Sequence, residues 1–171
     1  MTGSPVSGAP AAVDTMVFGA GGFIGRWLLL ELLGQDRTVA VALRGGKDAA
    51  DRLRRWLRDH GSDDQTLTVV HADIRHEGLE LAAGDEAVLD SVSDVFNVAG
   101  RYQFGMTRED ARQANVDGAL NVLRWAACRP QLRRLVHLSG YRVSRSDAPY
   151  PWPADEPVSY THLTLPTKLE V

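Results

Sequence analysis

Between Thr15 and Ser139 short, nearly continuous apolar runs alternate with stretches in which apolar residues recur every three or four positions. The first pattern marks strands buried on both faces, the second marks amphipathic helices. Thr15 to Phe18 is a strand that runs straight into glycines, and Phe23 to Leu33 follows at helical spacing. Thr38 to Leu43 is a second strand, bounded by Arg44-Gly45-Gly46, and Asp48 to His60 a second helix with Leu53, Trp56 and Leu57 on one face. Leu67 to Val70 makes a third strand, Asp85 to Ser91 a short helix and Val92 to Val98 a fourth strand. The longest helical pattern, Arg108 to Cys128, is expected to turn Ala111, Ala114, Ala119, Leu120, Leu123 and Ala127 inward, and Pro130 ends it. Arg134 to Ser139 is the fifth strand.

Strands separated by helices predict an α/β fold: a doubly wound parallel sheet with helices on both faces and strand order 3-2-1-4-5. With 171 residues the chain has room for one such domain. Its expected limits are residues 14–157, preceded by a loose tail over 1–13 that lacks the parts of a signal peptide. The regular pattern stops in the proline-rich loop from Ser144 to Pro157.

Composition narrows the function. A hydrophobic share of 44% and a charged share of 24% are those of an ordinary globular domain, and the longest apolar stretch is too short for a bilayer span. A formal charge of -3 with no basic, aromatic-interleaved stretch argues against a nucleic-acid partner. The single cysteine, Cys128, is expected as a buried thiol and suits a reducing cytoplasm. No metal or membrane partner is expected.

The glycine turn Gly19-Ala20-Gly21-Gly22-Phe23-Ile24-Gly25 sits between the first strand and the first helix. A phosphate binds main-chain N–H groups at a helix start, and glycine allows both the tight turn and the close approach. Gly19, Gly22 and Gly25, with Phe23 and Ile24 opening the helix, are therefore candidates to hold a dinucleotide pyrophosphate.

The Gly-x-x-Gly-x-x-Gly spacing resembles the extended, epimerase/dehydratase-like short-chain dehydrogenase/reductase family. Four further segments carry the resemblance in the same order: Asp73-Ile74, Asn97-Val98-Ala99-Gly100, Asn115-Val116-Asp117-Gly118 and His137-Leu138-Ser139-Gly140-Tyr141-Arg142-Val143. It implies a Rossmann fold, an adenine contact at Asp73 and Ile74, a ribose and phosphate lining at Val98, Ala99 and Gly100, and a helix element at Asn115. Phe18 departs from the Thr that the family commonly places before its first glycine.

The residue ending the second strand selects the cofactor. An acidic side chain there would bind a ribose 2′-hydroxyl, whereas Arg44, beside Gly45-Gly46 and Lys47, suits a 2′-phosphate. NADP is expected, with NAD the alternative.

Catalysis in the family rests on a Tyr-x-x-x-Lys pair beyond the fifth strand, helped by a Ser or Thr. The lysines of this chain are Lys47 and Lys168, with Leu43 and Thr164 four places earlier, so the pair is absent. Tyr141 precedes Arg145 and Tyr160 precedes Thr164 at that spacing, and neither replaces it. Ser139 aligns with the first of the family's two adjacent hydroxyl residues and is the remaining catalytic candidate; Gly140 stands where the second would be. Val158-Ser159-Tyr160-Thr161-His162-Leu163-Thr164-Leu165-Pro166-Thr167 resembles one reading frame of a transposon-derived sequencing adapter, GTC TCT TAT ACA CAT CTG ACG CTG CCG ACG. The expectation is a non-native tail over 158–171 in place of the catalytic helix, later strands and C-terminal substrate domain.

Two functions stay open. The resemblance implies an NAD(P)-dependent oxidoreductase acting on a carbonyl/alcohol or a nucleotide sugar, its substrate an unidentified small molecule, the intact parent left open as a homodimer and this chain an inactive fragment. The alternative is a family member that binds NADP(H) as a redox sensor or regulatory module.

Overall fold

In the computed structural model, which describes residues 12–139, the five apolar runs form five strands: β1 (Thr15–Phe18), β2 (Val39–Leu43), β3 (Leu67–His71), β4 (Asp94–Asn97) and β5 (Arg134–His137). All pair in parallel in the order β3-β2-β1-β4-β5, with Thr15 level with Val39 on one side and Asp94 on the other. The intervening helices are α1 (Phe23–Gly34), α2 (Gly46–Asp59), α3 (Ala83–Val88), α4 (Arg108–Arg112) and α5 (Gly118–Ala127), with a 3-10 turn at Glu77–Glu80. The alternating α/β order and the expected strand order are those of a doubly wound Rossmann sheet.

Side chains alternate across the sheet, and each face is apolar because helices cover both. Val17, Val39, Val41 and Leu43 pack under Leu29, Leu32 and Leu33 of α1 and Leu53 and Leu57 of α2. Met16, Phe18, Ala40, Ala42, Val70 and Val95 pack under Leu89, Val122, Trp125 and Ala126 on the opposite face. Val13, expected in the loose tail, is buried in this second layer, and its carbonyl accepts from Ser91 Oγ at 2.7 Å. The loop from 144 to 157 and the foreign string over 158–167 lie outside the described residues.

The long helix departs from expectation in two ways. It is interrupted by a π turn at Gln113–Asp117, and beyond it the buried residues are Gly118, Asn121, Val122, Trp125 and Ala126. Leu120 and Leu123, expected inside, are 41% and 49% exposed, and Ala127 is exposed with them. Both sides of this helix are apolar, so periodicity could not choose; packing did. A Cβ at position 118 would stand 2.9 Å from Ile74 Cδ1, so the close approach requires the Gly118 side. Trp125 then meets Phe18 edge-on at 5.5 Å and donates from Nε1 to Glu86. Cys128 follows on the outward side and is exposed, not buried.

At the amino-terminal edge of the sheet the fully buried Asp94 gathers three guanidinium groups, Arg37 at 2.8 Å, Arg133 at 2.5 Å and Arg134 at 3.3 Å. Burial pushes its carboxyl pKa up, but hydrogen bonds from Arg37 and Arg133 and the nearby Arg134 charge outweigh that and hold it below the ordinary value. Arg37, in the turn before β2, also donates from Nη2 to Thr15 Oγ1 of β1 at 2.7 Å, so the cluster ties β1, β4 and β5 together at the end opposite the glycine turn. No helix among the described residues is long and apolar enough to cross a membrane.

Candidate functional site

Neighbouring strands β1 and β4 send their chains to opposite faces of the sheet, β1 to α1 and β4 towards α5. That reversal opens a crevice at the carboxyl ends of the strands, where ligands of open α/β sheets bind. A cavity of about 350 Å³ occupies it, lined by the turns that leave β1, β2, β3 and β4. Among the described residues its charged lining consists of Arg44, Arg75 and Arg101, with no carboxylate. Such a lining suits a polyanion.

The glycine turn forms the floor. Gly19 has φ +88°, and a Cβ there would lie 2.6 Å from the Ala99 amide nitrogen, so both conformation and space exclude other residues. At Gly25 a Cβ would reach 2.1 Å from the Gly19 carbonyl oxygen, which is what lets α1 seat against the turn. Gly22 starts α1 without a side-chain cap, and no acidic residue stands in the first turn. The first-turn N–H groups are thus left for an anion. Gly19, Gly21 and Gly22 line the cavity. The Phe23 and Ile24 side chains are 81% and 52% exposed and do not line the cavity. Arg26 Nε closes the turn by donating to the Gly21 carbonyl at 3.0 Å.

Arg44 and Ile74 line the far end of the cavity. Asp73 is not part of the lining: it is buried, and its carboxylate is covered by Arg75, whose Nη2 lies 2.5 Å from Oδ2 and whose Nε lies 3.0 Å from both oxygens. The Arg75 amide also donates to Oδ1 at 3.0 Å. These hydrogen bonds outweigh burial and pull the Asp73 pKa down to about 2, aided by the Arg75 and Arg44 charges. Arg75 faces the cavity, a position that sequence reading missed. Its signal was there: a donor two residues after an aspartate closes an Asx turn.

Val98, Ala99, Gly100 and Arg101 line the other end. Asn97 Oδ1 accepts from the Ala99 amide at 3.2 Å and shapes this segment. Asn115 lies outside the lining, on the π turn, and brackets Arg101 reciprocally: Oδ1 accepts from the Arg101 amide and Nδ2 donates to its carbonyl, both at 2.8 Å. Ser139 is exposed just after β5, beside the segment after β4, because the Leu138 amide donates to the Asn97 carbonyl at 2.9 Å. Phe18, Ala42, Leu43, Ala72 and Ala114 complete the apolar walls. Tyr141 and Tyr160 lie outside the described residues.

Comparison with known proteins agrees with this geometry. The NAD-binding family model described as male sterility protein matches residues 17–158. A dihydroflavonol 4-reductase of Dianthus caryophyllus is 30% identical over 125 residues, 72% of this chain and 32% of the relative. A cinnamoyl-CoA reductase 1 of Oryza sativa subsp. japonica is 33% identical over 125 residues, 73% of this chain and 33% of the relative. The chain thus spans about a third of the length of these curated relatives. Among solved structures, the terminal R domain from the myxalamid PKS-NRPS biosynthetic pathway superposes with a TM-score of 0.65 at 26% identity, covering 91% of this chain and 41% of that one. With the glycine turn, the switch-point crevice and the family match in agreement, this chain belongs to the NAD-binding male sterility protein family and so to the extended short-chain dehydrogenase/reductases.

Proposed function

We propose that this chain is the NADP(H)-binding part of a reductase that passes hydride between the nicotinamide and a carbonyl carbon. The observation that carries the reading is the crevice itself. An uncapped helix start would meet the pyrophosphate, and the exposed Arg44, not a carboxylate, follows β2 where the adenine ribose would lie. Gly19, Gly22 and the first-turn N–H groups of Phe23, Ile24 and Gly25 would hold the pyrophosphate. Ile74 would pack on the adenine. Val98, Ala99 and Gly100 would flank the inner ribose, with Asn115 holding their loop. Relatives named as reductases of a dihydroflavonol and of a cinnamoyl thioester favour carbonyl reduction over nucleotide-sugar chemistry.

With Tyr-x-x-x-Lys absent from the sequence, Ser139 remains the catalytic candidate among the described residues, and binding without appreciable turnover is expected of this polypeptide. Isothermal titration of the chain with NADPH and NADH tests the reading. Binding of NADPH at least about tenfold tighter is expected, since charge-assisted hydrogen bonds to the 2′-phosphate have no counterpart in NADH. Equal affinities would overturn the choice of NADP, and absence of binding would overturn the site. Steady NADPH oxidation with an aldehyde, ketone and acyl-thioester panel would contradict the expected inactivity.

The second reading, a regulatory module that senses NADP(H), rests on Gly140 standing where the family has its second hydroxyl residue. An intact parent protein that bound NADPH yet reduced nothing in the same panel would favour it. The exposed, unpaired Cys128 thiol suits a reducing cytoplasm.

A further inference from the structure

Two guanidinium groups meet on one carboxylate oxygen at the Arg44 end of the crevice. Arg75 Nη2 is 2.5 Å from Asp73 Oδ2, and Arg44 Nη1 is 3.8 Å from the same atom. Asp73 is a rigid post. Its side chain is 7% exposed, its amide donates to the Leu79 carbonyl at 2.9 Å and its carbonyl accepts from the His76 amide at 3.2 Å. Leu79 is itself fully buried, so the turn that grips Asp73 is anchored in the core.

Arg75 spends Nε and Nη2 on Asp73, which leaves Nη1 and its two donors without a partner among the described residues, on a side chain 37% exposed that lines the cavity. The Arg44 contact is too long for a hydrogen bond, so its fork makes none among the described residues, and the side chain is 62% exposed. Glu80 adds a second, more distant carboxylate beside Arg75, but it does not line the cavity, where the two guanidinium groups, one following β2 and one in the turn after β3, are the charged groups at this end. This arrangement fits a phosphate dianion, which accepts hydrogen bonds from two forks at once.

We propose that Arg75 is a second specificity-determining arm for the cofactor 2′-phosphate, beside Arg44, and that Asp73 is a positioning residue that holds the Arg75 arm next to Arg44. This rests on the NADP(H) reading above and adds to it a residue and a division of labour. Asp73, the expected adenine contact, acts through Arg75.

The test is the ratio of NADPH to NADH affinity, measured by titration calorimetry on this chain and on Arg75→Ala, Arg75→Lys and the double variant Asp73→Asn/Arg75→Ala. 2′,5′-ADP serves as a probe of the phosphate end alone. Arg75→Ala should weaken NADPH and 2′,5′-ADP by roughly tenfold and leave NADH within about twofold, the effect of losing one charge-assisted contact. Arg75→Lys, which keeps charge without the fork, should fall between. The double variant removes the arm without stranding a buried carboxylate, so it reports even where the single variant folds poorly, and it should show the same loss of preference. A proportional loss of NADPH and NADH binding in these variants would mean a merely structural Arg75 and overturn the proposal, as would an unchanged ratio. Wild-type chain without preference for NADPH would overturn both this inference and the NADP(H) reading; a wild-type preference that the variants keep would overturn this inference alone.

Discussion

Asp73 illustrates how far one side chain's role depends on its neighbours. Its identity and place after β3 were legible in the sequence, because a short polar residue closes the strand. What it touches was not, since the covering group comes from the turn that follows. The Arg75 hydrogen bonds that hold its pKa near 2 also make it a source of stability with a definite pH dependence. A carboxyl with a lower pKa in the folded chain stabilises the fold above its unfolded pKa, near the ordinary 3.8, and loses that contribution as pH falls towards 2. At about 1.4 kcal/mol per pKa unit the contribution is at most about 2 to 3 kcal/mol, reduced by solvent around the part-exposed Arg75. Urea midpoints measured from about pH 5 down to about pH 2 should therefore fall less steeply in Asp73→Asn than in the wild type. Parallel profiles would show that Arg75 does not hold this carboxylate.

Among the elements, strands were read more accurately than helices. A strand buried on both faces is an apolar run whichever way it turns, so β1, β2 and β3 lie within a residue of their expected limits. The helix after β4 carries apolar residues on two sides, and only contact with Ile74 and Phe18 selects the Gly118, Val122 and Trp125 side. Strand pairing depends on a charge cluster equally hidden from periodicity. Asp94 is expected to support the amino-terminal ends of β4 and β5, and Asp94→Asn should cost about 2 kcal/mol, because the buried position loses the charge behind its hydrogen bonds from Arg37 and Arg133. Arg134→Ala should cost under about 1 kcal/mol, as the 46% exposed Arg134 returns to water. Chemical denaturation distinguishes the two; equal and small effects would show that the cluster carries little of the stability.

For the whole molecule, apolar side chains left outside the core bear on association. Val116, Leu120 and Leu123 form an exposed stripe along the π turn and α5, and Val136 of β5 and Leu138 just after it are exposed at one of the two edge strands among the described residues. Contiguous exposed apolar surface and an open strand edge both favour self-association. Sedimentation velocity should show the wild-type chain associating as concentration rises, and Leu120→Glu/Leu123→Glu shifting it towards monomer. A wild-type chain that stays monomeric across the concentration series would contradict this expectation.

The sequence by itself determined the α/β alternation, the parallel sheet and the glycine turn, because each depends on local spacing: apolar runs, helical periods, and glycines where a Cβ cannot fit. Tertiary structure alone decided which side of the last helix faces inward, where Cys128 lies, and how the Arg44 end of the crevice is built. Those features depend on groups that meet only after the sheet is assembled. Gly118 is selected by Ile74, Asn115 finds the Arg101 backbone, and Asp73, Arg44 and Arg75 become one unit because parallel pairing brings the ends of β2 and β3 side by side.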